Sequence, residues 1–187
     1  MEIIRTLDTQ ISFRNPVVTI GSFDGVHLGH RQIFKEVKEK ASSLNGESVA
    51  ITFDPHPQQL LHHGMDFFLL NSLEEKIDLI SREGVDYLIV FPFTYAFASQ
   101  SFSQFFYEIL VNKIGMKALV MGPNHSMGKN REGNLNAIRR ICQEENIELK
   151  VAPELIIGGH PVRSQRIRTL IQEQRIEEAS RLLGRSL

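Results

Sequence analysis

Five short apolar runs, Val17–Ile20, Val49–Phe53, Tyr87–Phe91, Ala118–Met121 and Glu148–Val151, recur along the chain with helix-period stretches between them. Each run is closed by Gly, Pro or polar residues, as expected of strands buried on both faces. In the stretches between, Ile33, Phe34, Val37 and Ala41 share one helical face, and Phe102, Phe105, Phe106, Ile109 and Leu110 share another. Strand and helix in alternation imply right-handed crossovers, so the expected fold class is α/β: a Rossmann-like parallel sheet with helices on both faces. The tail breaks this rhythm. Glu154 to Val162 predicts a hairpin turning at Gly158-Gly159, and two short helices follow, divided near Gln174-Arg175. A chain of 187 residues, 42% of them hydrophobic, can bury one sizeable core. Residues 1–187 are therefore expected to form one domain, with a small lobe around residues 56–72.

Lys and Arg number 21 against 22 Asp and Glu, so a net charge of -1 supplies no general field for a polyanion, and any phosphate site has to be local. Neither nucleic acid nor membrane is an expected partner. Cys142, the one cysteine, lies in a helical stretch without an activating neighbour, which fits a packing role and a reducing compartment. The opening residues, MEIIRTLD, lack an apolar signal core, and no run approaches the roughly 18 apolar residues of a membrane span. The expectation is a soluble, cytoplasmic protein.

The segment richest in chemistry joins the first run to the first helix: Thr19-Ile20-Gly21-Ser22-Phe23-Asp24-Gly25-Val26-His27-Leu28-Gly29-His30. Ligands of open α/β sheets bind at the carboxyl ends of strands. Glycines there admit a phosphate to the backbone, and the positive end of the following helix favours an anion. His27 and His30, three residues apart, can both face one phosphate chain. Such a pair also suits a metal or an ordinary helix cap. No third metal ligand accompanies it at a recognisable spacing, so no metal ligand is assigned, and the whole Gly-Asp-Gly-His-x-Gly-His frame favours phosphate.

The string GSFDGVHLGH resembles the signature of the HxGH nucleotidyltransferase superfamily, in the form carried by the FAD synthetase modules of bacterial bifunctional riboflavin kinase/FMN adenylyltransferases. The resemblance continues in order along the chain. Ile51-Thr52-Phe53-Asp54-Pro55-His56-Pro57 is similar to the family's TFxPHP segment, Glu75-Lys76 and Gly84-Val85-Asp86-Tyr87 to its EK and GVD pieces, and Arg131-x-Gly133 to its RxG. Ser164-Gln165-Arg166-Ile167-Arg168 is similar to SSTxIR, and Leu182-Leu183-Gly184-Arg185 to LLGR.

The resemblance implies a nucleotidyltransferase-type fold and adenylyl transfer from ATP to FMN, giving FAD and pyrophosphate. It implies that His27 and His30 hold ATP phosphates and stabilise the pentavalent transition state, and that Arg168 grips the β and γ phosphates as pyrophosphate leaves. Gly21, Phe23, Asp24, Gly25, Gly29 and Ser164 would complete the ATP site. Pro55, His56, Pro57, Asn124, His125 and Arg131 would form the acceptor site. Mg²⁺ is expected to accompany ATP, held mainly by phosphate oxygens and water. Asp24 is the nearest carboxylate, and a role in shaping its own turn is equally open to it.

Two segments depart from the family pattern. Where an acidic-aromatic pair is usual, Gly122-Pro123-Asn124-His125-Ser126-Met127-Gly128 carries an amide and an imidazole, which changes the surface offered to a flavin ring. Arg163 and Gln165 stand where small hydroxyl residues are usual, which leaves two alternatives open: Arg163 or Arg166 replaces the lost phosphate donors, or the site is weakened. Two other functions stay open at this point: adenylyl transfer to a different phosphorylated acceptor, and nucleotide or flavin binding without catalysis. The chain ends at Leu187, where the family continues into a riboflavin kinase module, so the resemblance implies no riboflavin kinase activity here.

Overall fold

The computed structural model describes residues 1–7, 11–61 and 67–187. The five anticipated strands all form, with bounds moved by at most one residue: β2 (Val17–Ile20), β3 (Ser48–Asp54), β4 (Tyr87–Pro92), β5 (Ala118–Met121) and β6 (Glu148–Val151). A further strand, β1 (Glu2–Ile4), pairs parallel with β4, setting Ile4 beside Ile89. Three residues of which only Ile4 is buried are too few to announce a strand by alternation. The helices are α1 (Leu28–Ser43), α2 (Pro57–Leu61), α3 (Leu73–Arg82), α4 (Tyr95–Ala98), α5 (Phe102–Gln104), α6 (Leu135–Glu144), α7 (Ser164–Gln172) and α8 (Ile176–Leu183). The expected hairpin is β7 (Ile156–Ile157) against β8 (His160–Pro161). Of the lobe anticipated around residues 56–72, residues 62–66 lie outside the described residues.

The main sheet is parallel throughout, in the order β1-β4-β3-β2-β5-β6. Successive strand residues point to opposite faces. Val18, Ile20, Val49, Ile51, Ile89, Leu119 and Met121 enter one core with Phe102, Phe106, Ile138 and Cys142. On the other face, Ala50, Leu88 and Val90 meet Phe34 and Ile80, while Val17, Ala118 and Val120 meet Val37 and Ala41. Burying one such Val, Leu, Ile or Phe contributes about 1.5–3 kcal/mol, so the two apolar faces hold the helices in place. Cys142 belongs to this packing, and burial raises its thiol to about 11.

The stretch after α5 departs from the α-helical expectation. Residues Phe105–Lys113 wind as a π-helix, with the Ile114 N–H donating to the Ile109 carbonyl at 3.0 Å. The same five side chains, Phe102, Phe105, Phe106, Ile109 and Leu110, are buried nonetheless. Spacings of three and four residues face a core in either winding, which is why periodicity alone did not separate them.

Between β2 and β5 the strand order reverses: β3 and β4 continue to one side of β2, β5 and β6 to the other. Chains leaving the carboxyl ends of β2 and β5 diverge there, and the crevice they leave is where such sheets take ligands.

Candidate active site

A cavity of about 300 Å³ occupies that crevice. The turn after β2 contributes Gly21, Ser22 and Phe23, and α1 opens with His27, Gly29 and His30. The loop after β5 brings Gly122, Pro123, Asn124 and His125, and the segment before α7 brings Glu154, Arg163 and Ser164. Eight anticipated residues therefore meet in one place: Gly21, Phe23, His27, Gly29, His30, Asn124, His125 and Ser164. Asp24, Gly25, Pro55, His56, Pro57, Arg131 and Arg168 do not line this cavity. Arg131 lines a second hollow of about 400 Å³, which shares Asn124 and His125 with the first.

His27 caps α1: its Nδ1 accepts the His30 N–H at 3.2 Å, and the two imidazoles stack with centroids 3.6 Å apart and planes 15° from parallel. Phe23 meets the His30 ring edge-on at 5.3 Å. A side chain on Gly29 would approach the His27 ring and the Val162 carbonyl to 3.2 Å, so glycine lets the hairpin segment close over the imidazole. Burial lowers the His27 pKa to about 4 and that of His30 well below its ordinary value. Both rings are uncharged at neutral pH. They act as hydrogen-bonding groups rather than cations, and His30 Nδ1 is buried without a hydrogen-bond partner among the described residues.

The turn itself is held from several sides. Asp24 is fully buried, accepts the Leu70 N–H at 3.0 Å and pairs with Arg168. The Gly25 N–H donates to Asn71 Oδ1, and the Gly25 carbonyl accepts from Arg185 at 2.7 Å. Ser164 Oγ donates to the Asp24 carbonyl at 2.9 Å, and Thr52 Oγ1 to the Ser22 carbonyl at 3.1 Å. Gly25 adopts φ +83°, with Leu70 and Leu183 packed where a side chain would stand. Asp24 thus shapes the turn through its side chain as well as its backbone. Burial raises its pKa, with Arg168 opposing that shift.

Arg168 is buried too: its Nε donates to the Phe68 carbonyl at 2.7 Å, and its guanidinium lies 4.3 Å from the Phe67 ring centroid. Phe67 also contacts His56, centroids 5.0 Å apart, linking the Pro55-His56-Pro57 segment to this buried group. His56 Nδ1 accepts the Gln58 N–H at 3.1 Å, and burial lowers its pKa to about 3.

Lys76, which the family resemblance marks only as part of Glu75-Lys76, belongs to the same buried group. Its ammonium stands 3.4 Å from Thr52 Oγ1 and 3.5 Å from the Phe53 carbonyl, and burial lowers its pKa against the pull of Asp24 and Asp54. The signal was present in the sequence: Lys76 interrupts the apolar stripe of Leu73, Ile77 and Ile80, and a charge on a core-facing stripe requires partners. Glu154 carried no such local signal. It accepts from Asn124 Nδ2 at 2.8 Å and from Arg163 at 2.6 Å. His125 Nε2 is buried without a hydrogen-bond partner among the described residues, and burial lowers that ring's pKa to about 4.

Among the described residues, no group of three His, Cys, Asp or Glu side chains could hold a metal ion, and no helix is long and apolar enough to cross a membrane.

The family model for FAD synthetase matches residues 9–166. The bifunctional riboflavin kinase/FMN adenylyltransferase of Buchnera aphidicola subsp. Acyrthosiphon pisum is 32% identical over 172 residues, covering 91% of this chain and 55% of its own length. That of Listeria monocytogenes is 32% identical over 171 residues, covering 91% and 54%. This chain thus spans about half the length of these relatives. A putative bifunctional riboflavin kinase/FMN adenylyltransferase of Geobacillus thermodenitrificans is 30% identical over 168 residues, covering 90% of this chain and 89% of that protein. Among solved structures, one described as a macrolide-efflux protein from Streptococcus pneumoniae superposes with a TM-score of 0.84 at 25% identity, covering 98% of this chain and 61% of that one. A pantoate-beta-alanine ligase from Francisella tularensis, with a TM-score of 0.59 at 17% identity, covers 95% and 78% and shares the fold.

Proposed function

Since this chain belongs to the FAD synthetase family, we propose that it transfers the adenylyl group of ATP to FMN, giving FAD and pyrophosphate. The observation that carries this reading is the pair of stacked, uncharged imidazoles of His27 and His30, set in a cavity at the point where the strand order reverses. No protein nucleophile is needed. A phosphate oxygen of FMN attacks the α-phosphorus of ATP, the bond to the bridging oxygen breaks, and the electron pair leaves with pyrophosphate.

Catalysis then consists of positioning and of donors aimed at the oxygens that gain charge. Because His27 Nδ1 accepts an amide hydrogen, its own proton sits on Nε2, and that N–H is the donor offered to the α-phosphate. His30 stacks against His27 and supplies the second ring. Gly21, Phe23, Gly29 and Ser164 frame the ATP side, and Asn124 and His125 the acceptor side. Asp24, Gly25 and Arg168 support the turn from behind. Arg131 bounds the acceptor region further out, and Pro55, His56 and Pro57 join the buried support through the contact of His56 with Phe67.

Mg²⁺ would neutralise the triphosphate oxygens. Asp24 is a poor ligand for it, being fully buried and paired with Arg168, so the ion would enter on the nucleotide with its own waters. A cytoplasmic setting and small-molecule partners accompany this reading.

Incubation with ATP, Mg²⁺ and FMN, following FAD and pyrophosphate, tests it. FAD formation supports the reading. Pyrophosphate release only with another phosphorylated acceptor would replace FMN, and binding without turnover would make the protein a non-catalytic nucleotide or flavin binder.

A further inference from the structure

Among the described residues that line the cavity, Arg163 is the one Lys or Arg and Glu154 the one carboxylate. The other donors at the start of α7 are taken up elsewhere. Ser164 Oγ bonds the Asp24 carbonyl. Arg166 Nη1 bonds the carbonyls of Ile157, His160 and Pro161 at 3.0, 2.9 and 3.4 Å, so it fastens the β7–β8 hairpin. Arg168 is held by Asp24 and the Phe68 carbonyl. Arg163 differs from all three: its side chain is 51% exposed, and its bond to Glu154, itself 34% exposed, is an ion pair that water reaches from the cavity. Such pairs contribute little and yield readily to a competing anion.

We propose that Arg163 is the cation that binds a substrate phosphate in this cavity, with Glu154 as the counter-ion that holds it in place until the phosphate arrives. The inference rests on the adenylyl-transfer reading above. A guanidinium offers a planar fork to two phosphate oxygens, whereas uncharged imidazoles cannot balance a polyanion. Glu154, fixed by the Asn124 amide, orients the fork across the cavity wall but also repels the incoming anion. The two partners of one ion pair therefore act on ligand affinity with opposite signs. ATP and FMN both carry the required phosphate, and separate titrations tell which one Arg163 serves.

Calorimetric titrations of the full chain with ATP and, separately, with FMN, for wild type, Arg163→Ala, Arg163→Lys and Glu154→Gln, test the assignment. Arg163→Ala is expected to weaken one of the two ligands about tenfold, the loss of a charge-assisted bond. Arg163→Lys recovers part of that loss, because charge is restored without the fork. Glu154→Gln tightens the same ligand a few-fold, and added salt weakens wild type more than Arg163→Ala. A bridge that served only structure would make Arg163→Ala and Glu154→Gln shift affinity in the same direction, which overturns the proposal, as does unchanged affinity for both ligands in Arg163→Ala. A wild-type chain that binds neither ATP nor FMN sinks the adenylyl-transfer reading first, and this assignment with it.

Discussion

On one side of the cavity, the turn from Gly21 to His30 is tied to β3, to the segment before α3, to α7 and to the tail after α8, through Thr52, Leu70 and Asn71, Ser164 and Arg168, and Arg185. Across from it, Asn124, Glu154 and Arg163 form a polar wall joined mainly to itself. The first side buries its charge and its histidines, where each unmet group would carry a large penalty. The second keeps its charges in reach of water, where breaking a contact changes little. A fixed floor opposite an adaptable wall is what a site needs if it is to hold one reacting phosphorus in place while admitting and releasing large anionic partners.

The contrast is most open to attack at Asp24. Asp24→Ala leaves Arg168 buried without its carboxylate, and a loss of about 3–5 kcal/mol is expected in chemical denaturation. A loss below about 1 kcal/mol would remove the distinction between floor and wall. His30→Ala comes next: FAD-forming turnover should fall by about 10²–10³ while the far-ultraviolet circular dichroism spectrum is kept. Unchanged turnover would take His30 out of the reaction.

Lowering pH sharpens the same comparison. His27 has its pKa lowered to about 4, and His56 to about 3, against 6.5 in an unfolded chain. Between those values the unfolded chain takes up protons that the folded one refuses. The stability tied to keeping these rings neutral is therefore complete above about pH 6.5 and is lost as pH falls towards 4, at up to about 1.4 kcal/mol per pH unit for each ring. Denaturation midpoints at pH 7 and pH 5 measure this, and equal midpoints would contradict the burial of the floor. The smallest effect belongs to the wall: Asn124→Ala should change stability by no more than about 0.5 kcal/mol, and a larger loss would show that the wall is structural.

Much of the layout was legible because it follows from local chemistry. Branched and aromatic runs have to be buried on both faces, and alternation of strand and helix admits few sheets, so β2 to β6 and the crossing helices could be anticipated. The glycines and histidines of the first turn pointed to phosphate for the same local reasons. The winding of Phe105–Lys113 was not legible, since one buried face suits two helical periods. Nor was β1, whose pairing depends on a strand more than eighty residues away in sequence.

Arg168 shows where sequence reasoning meets its boundary. Its residue type suits a phosphate, yet its side chain bonds Asp24, 144 positions earlier, and the Phe68 carbonyl. Arg163, at a position where the family pattern has a small hydroxyl, turned out to be the arginine facing the cavity. From the sequence alone came strands β2 to β6, the crossing helices and the identity of the first turn, because propensity and periodicity act between near neighbours. Which charged groups lie buried together and which one meets the ligand space was decided by tertiary structure, because burial and ion pairing depend on distances that only the closed sheet brings about.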